Sequence, residues 1–113
     1  MNNLNIKTMK KSEILKCALN LTKAELKIFM FFFENKGSEY LTEEVSKELG
    51  LNLSTVQRAV KKLYELLVLN RRQKNLDTGG YIYIYSIVSK IKCNNIVKEK
   101  LVNWYARACG YFG

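Results

Sequence analysis

The chain has 113 residues, 48% of them hydrophobic and 26% charged, a balance that fits one soluble globular domain with a buried core. It contains no histidine and three widely spaced cysteines, Cys17, Cys93 and Cys109. That composition excludes Ser-His-Asp and Cys-His catalysis and a Cys/His zinc site, and it argues against a disulfide framework. The net charge of +9 points instead to a polyanionic partner.

No apolar run approaches the ~20 residues needed to cross a bilayer. The N-terminus lacks the apolar stretch of a signal peptide, so a cytoplasmic protein with no membrane partner is expected. The first ten residues carry little periodicity and read as irregular. Ser12 is placed to cap a short helix with Ile14, Leu15, Ala18 and Leu19 at helical spacing. Thr22-x-x-Glu25 is a capping box, opening a helix that runs to about Lys36 and stops at Gly37. Ile28, Phe29, Phe32 and Phe33 share one face, and Leu26, Met30 and Phe31 make the others apolar. This reads as the central helix, packed from several sides.

Ser38 to Leu41 reads as extended. Thr42 then caps a two-turn helix with Glu43 and Glu44 in its first turn, where carboxylates suit the helix dipole. Val45, Leu49 and Leu51 would face the core, with Gly50 in the turn. Ser54-x-x-Gln57 is a second candidate capping box, and Val56, Val60, Leu63 and Leu67 make the inner stripe of the helix it opens. Leu69 to Lys74 and Tyr81 to Val88 are β-rich and flank a loop containing Asp77, Gly79 and Gly80, the pattern of a hairpin. Ser89 caps a last helix with Val97, Leu101, Trp104, Ala108 and Tyr111 on one stripe.

The fold class that follows is mainly α with a small β-hairpin wing: a winged helix-turn-helix with extra N- and C-terminal helices. Residues 1–113 are expected to form a single domain, with an N-terminal segment and helix over 1–20, a core over 21–88 and a C-terminal helix over 89–113.

Function is carried by Thr42 to Tyr85. A helix-turn-helix presents its second helix to the major groove. Burying Val56, Val60 and Leu63 leaves Ser54, Thr55, Gln57 and Arg58 to offer hydroxyl, amide and guanidinium groups to base edges, and Lys61 and Lys62 to reach phosphates. From Ser54 to Leu76 six basic residues face only Glu65, whereas Thr42 to Leu53 holds three glutamates and one lysine. On the wing, Arg71, Arg72 and Lys74, with Asn75 and Thr78 near the tip, are placed for the backbone or the minor groove. Taken singly, each of these residues would be an ordinary solvated side chain. Their placement on the two elements this architecture points at DNA is what gives them meaning.

The segments Leu21-Thr22-Lys23-Ala24-Glu25, Leu41-Thr42-Glu43-Glu44-Val45, Leu53 to Leu63 and Tyr83-Ile84-Tyr85-Ser86-Ile87 resemble the winged-helix regulators of archaea and bacteria. Small archaeal regulators similar to the TrmB DNA-binding domain are nearest, with MarR-type proteins next. The resemblance covers roughly Leu21 to Ile91 and implies DNA contact by the recognition helix and wing, and dimerisation through terminal helices. One departure stands out: the glycine that usually ends the recognition helix is replaced by Leu67, so an extended or reshaped helix end is expected.

The last stripe is too long for a chain of this size to bury easily. Either it packs on Met30 and Phe31 of the central helix, or Val97, Leu101, Trp104, Ala108 and Tyr111 also meet a second copy in an isologous interface. The leading expectation is a sequence-specific, non-enzymatic transcriptional regulator whose partners are double-stranded DNA and itself, with no cofactor, metal or small-molecule ligand. A DNA-coating winged helix and a protein-interaction module of a transcription assembly are the alternatives.

Overall fold

A computed structural model describes residues 10–112, apart from the side chains of 108, 109, 111 and 112. The first nine residues, read as irregular, thus lie outside the described residues. The elements run α1 (Lys11–Leu19), α2 (Lys23–Glu34), α3 (Thr42–Leu49), α4 (Leu53–Glu65), β1 (Leu69–Asn75), β2 (Tyr81–Ile87) and α5 (Lys90–Phe112). The mainly helical class with a two-stranded hairpin is the one expected.

Several helix starts differ from the sequence reading by one or two residues. Lys10, not Ser12, is the N-cap of α1, and its N–H donates to the Glu13 carboxylate at 3.3 Å. Leu41, not Thr42, caps α3, where Glu44 accepts the Leu41 N–H at 2.8 Å. The Ser54–Gln57 capping box does not form: Asn52 is the N-cap of α4 and makes no side-chain cap bond, so Ser54 already lies in the first turn. The Thr22–Glu25 box does form, with bonds of 2.8 and 3.2 Å in its two directions. The difference is physical: a carboxylate at the third helical position can satisfy the cap N–H whatever residue occupies the cap.

α2 is the axis of the core, as its all-round apolar sequence requires. Ile28, Phe29 and Phe32 are buried completely or nearly so, together with Val45 of α3 and Val56, Val60 and Leu63 of α4. α2 ends at Glu34 rather than Lys36, and Gly37 lies beyond it with φ +91°. Between α3 and α4, Gly50 takes the left-handed conformation (φ +64°), and the Ser46 hydroxyl donates to the Leu51 carbonyl at 2.6 Å. From α2, the Lys27 ammonium donates to the Leu49 carbonyl at the end of α3, 3.3 Å away. These contacts hold the helix-turn-helix angle.

Helix α4 stops at Glu65, and Leu67 is neither helical nor in the buried stripe; it is 60% exposed with φ +69°. The expected reshaping of the helix end is nonetheless absent. The Leu67 N–H donates to the Tyr64 carbonyl at 2.9 Å and the Val68 N–H to the Leu63 carbonyl at 3.2 Å. That bond pattern is a Schellman motif, with Val68 and Leu63 both fully buried as its apolar contact. Leucine occupies the position that ordinarily belongs to glycine.

β1 starts directly after it and pairs antiparallel with β2, Leu69 opposite Ile87 and Asn75 opposite Tyr81. Tyr40 adds a short third edge, exchanging two 2.8 Å backbone bonds with Tyr85. This gives the expected extended segment before α3 a role: it fastens the wing to the helices. Ser89 starts α5 as expected, its hydroxyl accepting the Lys92 N–H at 3.2 Å. The main packing partner of α5 is α1 rather than α2, whose Met30 and Phe31 were one of the two placements expected for its apolar stripe. At 23 residues it spans about 35 Å and draws the molecule out to 58 × 24 × 24 Å.

Candidate nucleic-acid interface

α4 has one face in the core and the opposite face in solvent. Val56, Ala59, Val60 and Leu63 are buried; Ser54, Gln57, Arg58, Lys61 and Glu65 are exposed at i, i+3, i+4, i+7 and i+11. Among the described residues, the side chains of Ser54, Gln57, Arg58 and Lys61 make no hydrogen bond or ion pair, so their polar groups stand ready for another molecule. Thr55 is half-buried at the edge of this stripe.

Lys62 is placed differently from its neighbour. Its ammonium lies 2.7 Å from a Glu25 carboxylate oxygen and 2.7 Å from the Asn20 carbonyl. The group expected to reach a phosphate instead joins α4 to the α1–α2 junction. Burial works to raise the Glu25 carboxyl, but hydrogen bonds from Lys62 and the Thr22 amide, with the charge of Lys62, outweigh it and hold the group below the usual carboxylate range.

The wing splits its basic residues between its two faces. Arg71 shares a face with Tyr81, Tyr83 and Tyr85, and its guanidinium carbon sits 4.1 Å from the ring centres of both Tyr64 and Tyr83. This cation–π contact ties the end of α4 to the wing. Arg72, on the other face, reaches across β2 to Glu39 with two 3.1 Å bonds. The hydrogen bond from Arg72 holds the Glu39 carboxyl low, and Glu39 in turn raises Arg72. Lys74, Asn75 and Thr78 are exposed at the outer end, where the Gly79 N–H donates to the Leu76 carbonyl at 3.1 Å and closes the turn.

The structure therefore brings Ser54, Gln57, Arg58 and Lys61 onto one open surface and leaves Lys74 and Thr78 without a side-chain partner among the described residues at the wing tip, where the Asn75 carboxamide oxygen accepts a 3.2 Å hydrogen bond from the Gln73 side chain. It engages Lys62, Arg71 and Arg72 within the fold. Sequence reasoning missed their partners, Glu25, Tyr64, Tyr83 and Glu39, three of which lie on other elements.

Of the expected terminal stripe, Val97 and Leu101 are half-buried against their own chain and Trp104 is 40% exposed beside α1. The side chains of Ala108 and Tyr111 lie outside the described residues. Among the described residues, the large exposed apolar groups of α5 are Ile91, Val102, Trp104 and Tyr105. Cys93 is buried, which pushes its thiol up. Among the described residues no acidic, cysteine or histidine cluster could hold a metal ion, and no helix is long and apolar enough to cross a membrane.

A helix-turn-helix followed by a hairpin that packs beside the second helix defines the winged-helix class. Within it, the chain belongs to the DnaD N-terminal domain family, whose model matches residues 11–108. A protein of Methanosarcina mazei Go1, described as a possible transcriptional regulator, is 44% identical with a TM-score of 0.83, the match covering 92% of this chain and 87% of that one. The ST1889 protein of Sulfolobus tokodaii shares the fold at 22% identity and a TM-score of 0.74, over 91% of this chain and 95% of that chain. Transcription factor E of Methanocaldococcus jannaschii is 36% identical over 69 residues, which cover 54% of this chain and 40% of that protein. The resemblance drawn from the sequence reached the same winged-helix regulator class; the family identified is the DnaD N-terminal domain.

Proposed function

We propose that this protein is a sequence-selective, non-enzymatic DNA-binding transcriptional regulator that acts as a homodimer, with residues 1–113 working as one domain. Helix α4 would enter the major groove, with Ser54, Gln57 and Arg58 toward base edges and Lys61 toward phosphate. Lys74, Asn75 and Thr78 would meet the backbone or the minor groove. The observation that carries this reading is the row of unengaged polar and basic side chains on α4, opposite a completely buried face. A helix fixed that firmly can hold base-reading groups in register, and rigid presentation is what direct readout requires.

The homodimer rests on α5, where Ile91 is 75% and Val102 58% exposed. Covering these groups with a second copy would set two recognition helices about one helical turn (~34 Å) apart on a pseudo-palindromic site. The test is selection from a random duplex library at near-physiological salt, followed by gel shifts of the winners against random DNA. A two-fold-symmetric motif enriched by about 10³ or more supports the proposal. Binding without a motif would leave a DNA-coating protein. The similarity to transcription factor E favours a second reading, a winged helix that serves within a transcription assembly, and absence of DNA binding would select it.

A further inference from the structure

Helix α4 differs from the other helices in how it begins. In α1, α2, α3 and α5 a side chain bonds a backbone N–H at the start: from Glu13, from Thr22 and Glu25, from Glu44 and from Ser89. Asn52 is the N-cap of α4, and asparagine is among the residues that cap best, yet its side chain makes no cap bond. Among the described residues its exposed carboxamide has no hydrogen-bond partner. A contact ordinarily worth about 1 kcal/mol is left unmade at the helix end that enters the groove in this architecture.

The next residue, Leu53, is equally out of place. It is 38% exposed on a helix whose other aliphatic side chains Val56, Ala59, Val60 and Leu63 are buried. Fixing the chain at the helix entry does not require it. Leu51 stands at the staple position, packed against the core, with Val56 fully buried as its counterpart. Gln57 lies one turn beyond Leu53, rotated by only about 40°, exposed and also without a partner among the described residues. A leucine exposed by itself is ordinary on a protein surface. This one is grouped with two free carboxamides, on a helix whose later open positions, Arg58, Lys61 and Glu65, are charged.

That grouping matches one base pair. In the major groove adenine offers the N7 acceptor and the N6 donor, which a carboxamide meets with two bonds, and thymine alone among the four bases carries a 5-methyl group. We propose that the start of α4 selects an A·T pair in each half-site, with Leu53 packed on the thymine methyl and the carboxamides of Asn52 and Gln57 facing adenine. Leu53 is then a specificity-determining residue. The inference rests on the DNA-binding reading and names what that surface selects.

The test starts from the duplex selected with the full chain. Each thymine is replaced in turn by deoxyuridine, which lacks only the methyl group, and affinity is measured by gel shift. One position in each half-site should lose about fourfold, the worth of one buried methyl. In Leu53→Ala the same replacement should cost nothing, whereas Leu53→Met, still apolar, should keep the difference. Gln57→Ala should weaken binding to the same duplex yet retain the fourfold effect, because the methyl contact belongs to Leu53. Since Leu53 is exposed, Leu53→Ala should unfold near the parent's urea midpoint, which separates a lost contact from a lost fold. Thymines that can all be replaced without effect, a replacement that costs as much in Leu53→Ala as in the parent, or a half-site without an A·T pair would overturn the inference and leave the DNA-binding reading standing. Binding without a motif, or no binding, would overturn the selective reading and this inference with it.

Discussion

Lys62 offers the sharpest test, because two lines of reasoning assign it opposite roles. Charge patterning makes it a phosphate contact, and a phosphate contact implies that removing it lowers the salt slope of DNA binding by about one. The structure makes it a brace between α4 and the α1–α2 junction, with side-chain exposures of 34% for Lys62 and 16% for Glu25 at a separation of 2.7 Å. Exposed pairs couple by ~0.2–1 kcal/mol, whereas breaking a buried one costs ~3–5 kcal/mol. A pair at these exposures belongs between the two, and with screening a coupling energy of about 1–2 kcal/mol is expected.

The assay is a double-mutant cycle on Lys62→Met and Glu25→Gln, read by urea unfolding. Each single variant should lower the midpoint, and the double variant should lose less than their sum. The parent chain should also lose stability in acid. The Glu25 pKa is lowered by folding, so its contribution is present above the unfolded value of 4.5 and vanishes as pH falls through the folded value. Glu25→Gln should abolish that part of the pH dependence. In DNA binding, Lys62→Met should leave the salt slope unchanged at temperatures where the variant is folded. Additive single variants, combined with a slope lower by one, would refute the brace and restore the phosphate contact.

Three further outcomes follow from individual side chains. Leu67→Gly should raise stability by about 0.5–1 kcal/mol in denaturant unfolding, because relief of the left-handed strain (~1–2 kcal/mol) exceeds the chain-entropy cost of glycine; a loss would mean that the leucine is held by packing its exposure does not suggest. Arg58→Ala should flatten base preference at one step of a selected site while lowering affinity for random DNA much less, and equal losses on both would deny it base reading. Burial and the raised thiol pKa predict that Cys93 resists alkylation in the native chain and reacts on unfolding, as mass spectrometry of labelled peptides would show.

What could be read in the sequence was what acts over one or two turns of chain. The apolar spacing of α4 marked Val56, Val60 and Leu63 for burial because a helix can hide only one stripe, and the positions left over became its open face. The hairpin was legible from its β-favouring segments around Asp77, Gly79 and Gly80. Capping was less so: Glu13 and Glu44 satisfy cap amides from the third position, which makes the serines and threonines nearby look more decisive than they are. What stayed hidden was each basic residue's choice between solvent and a partner brought in by folding. Lys61 and Lys62 are adjacent and chemically identical, yet 100° of helical rotation leaves one in water and turns the other toward Glu25, 37 residues away.

Leu67 shows the same limit from the other side. Judged locally, a leucine in a left-handed cap should displace the chain that follows it. Its neighbours decide otherwise, because Val68 and Leu63 are both fully buried and the two backbone bonds of the motif close across them. Burying two such side chains is worth roughly 3–6 kcal/mol, more than the ~1–2 kcal/mol of strain. The local rule was sound and was outweighed, so the wing begins at Leu69 in the register that sets Arg71 against Tyr64 and Tyr83.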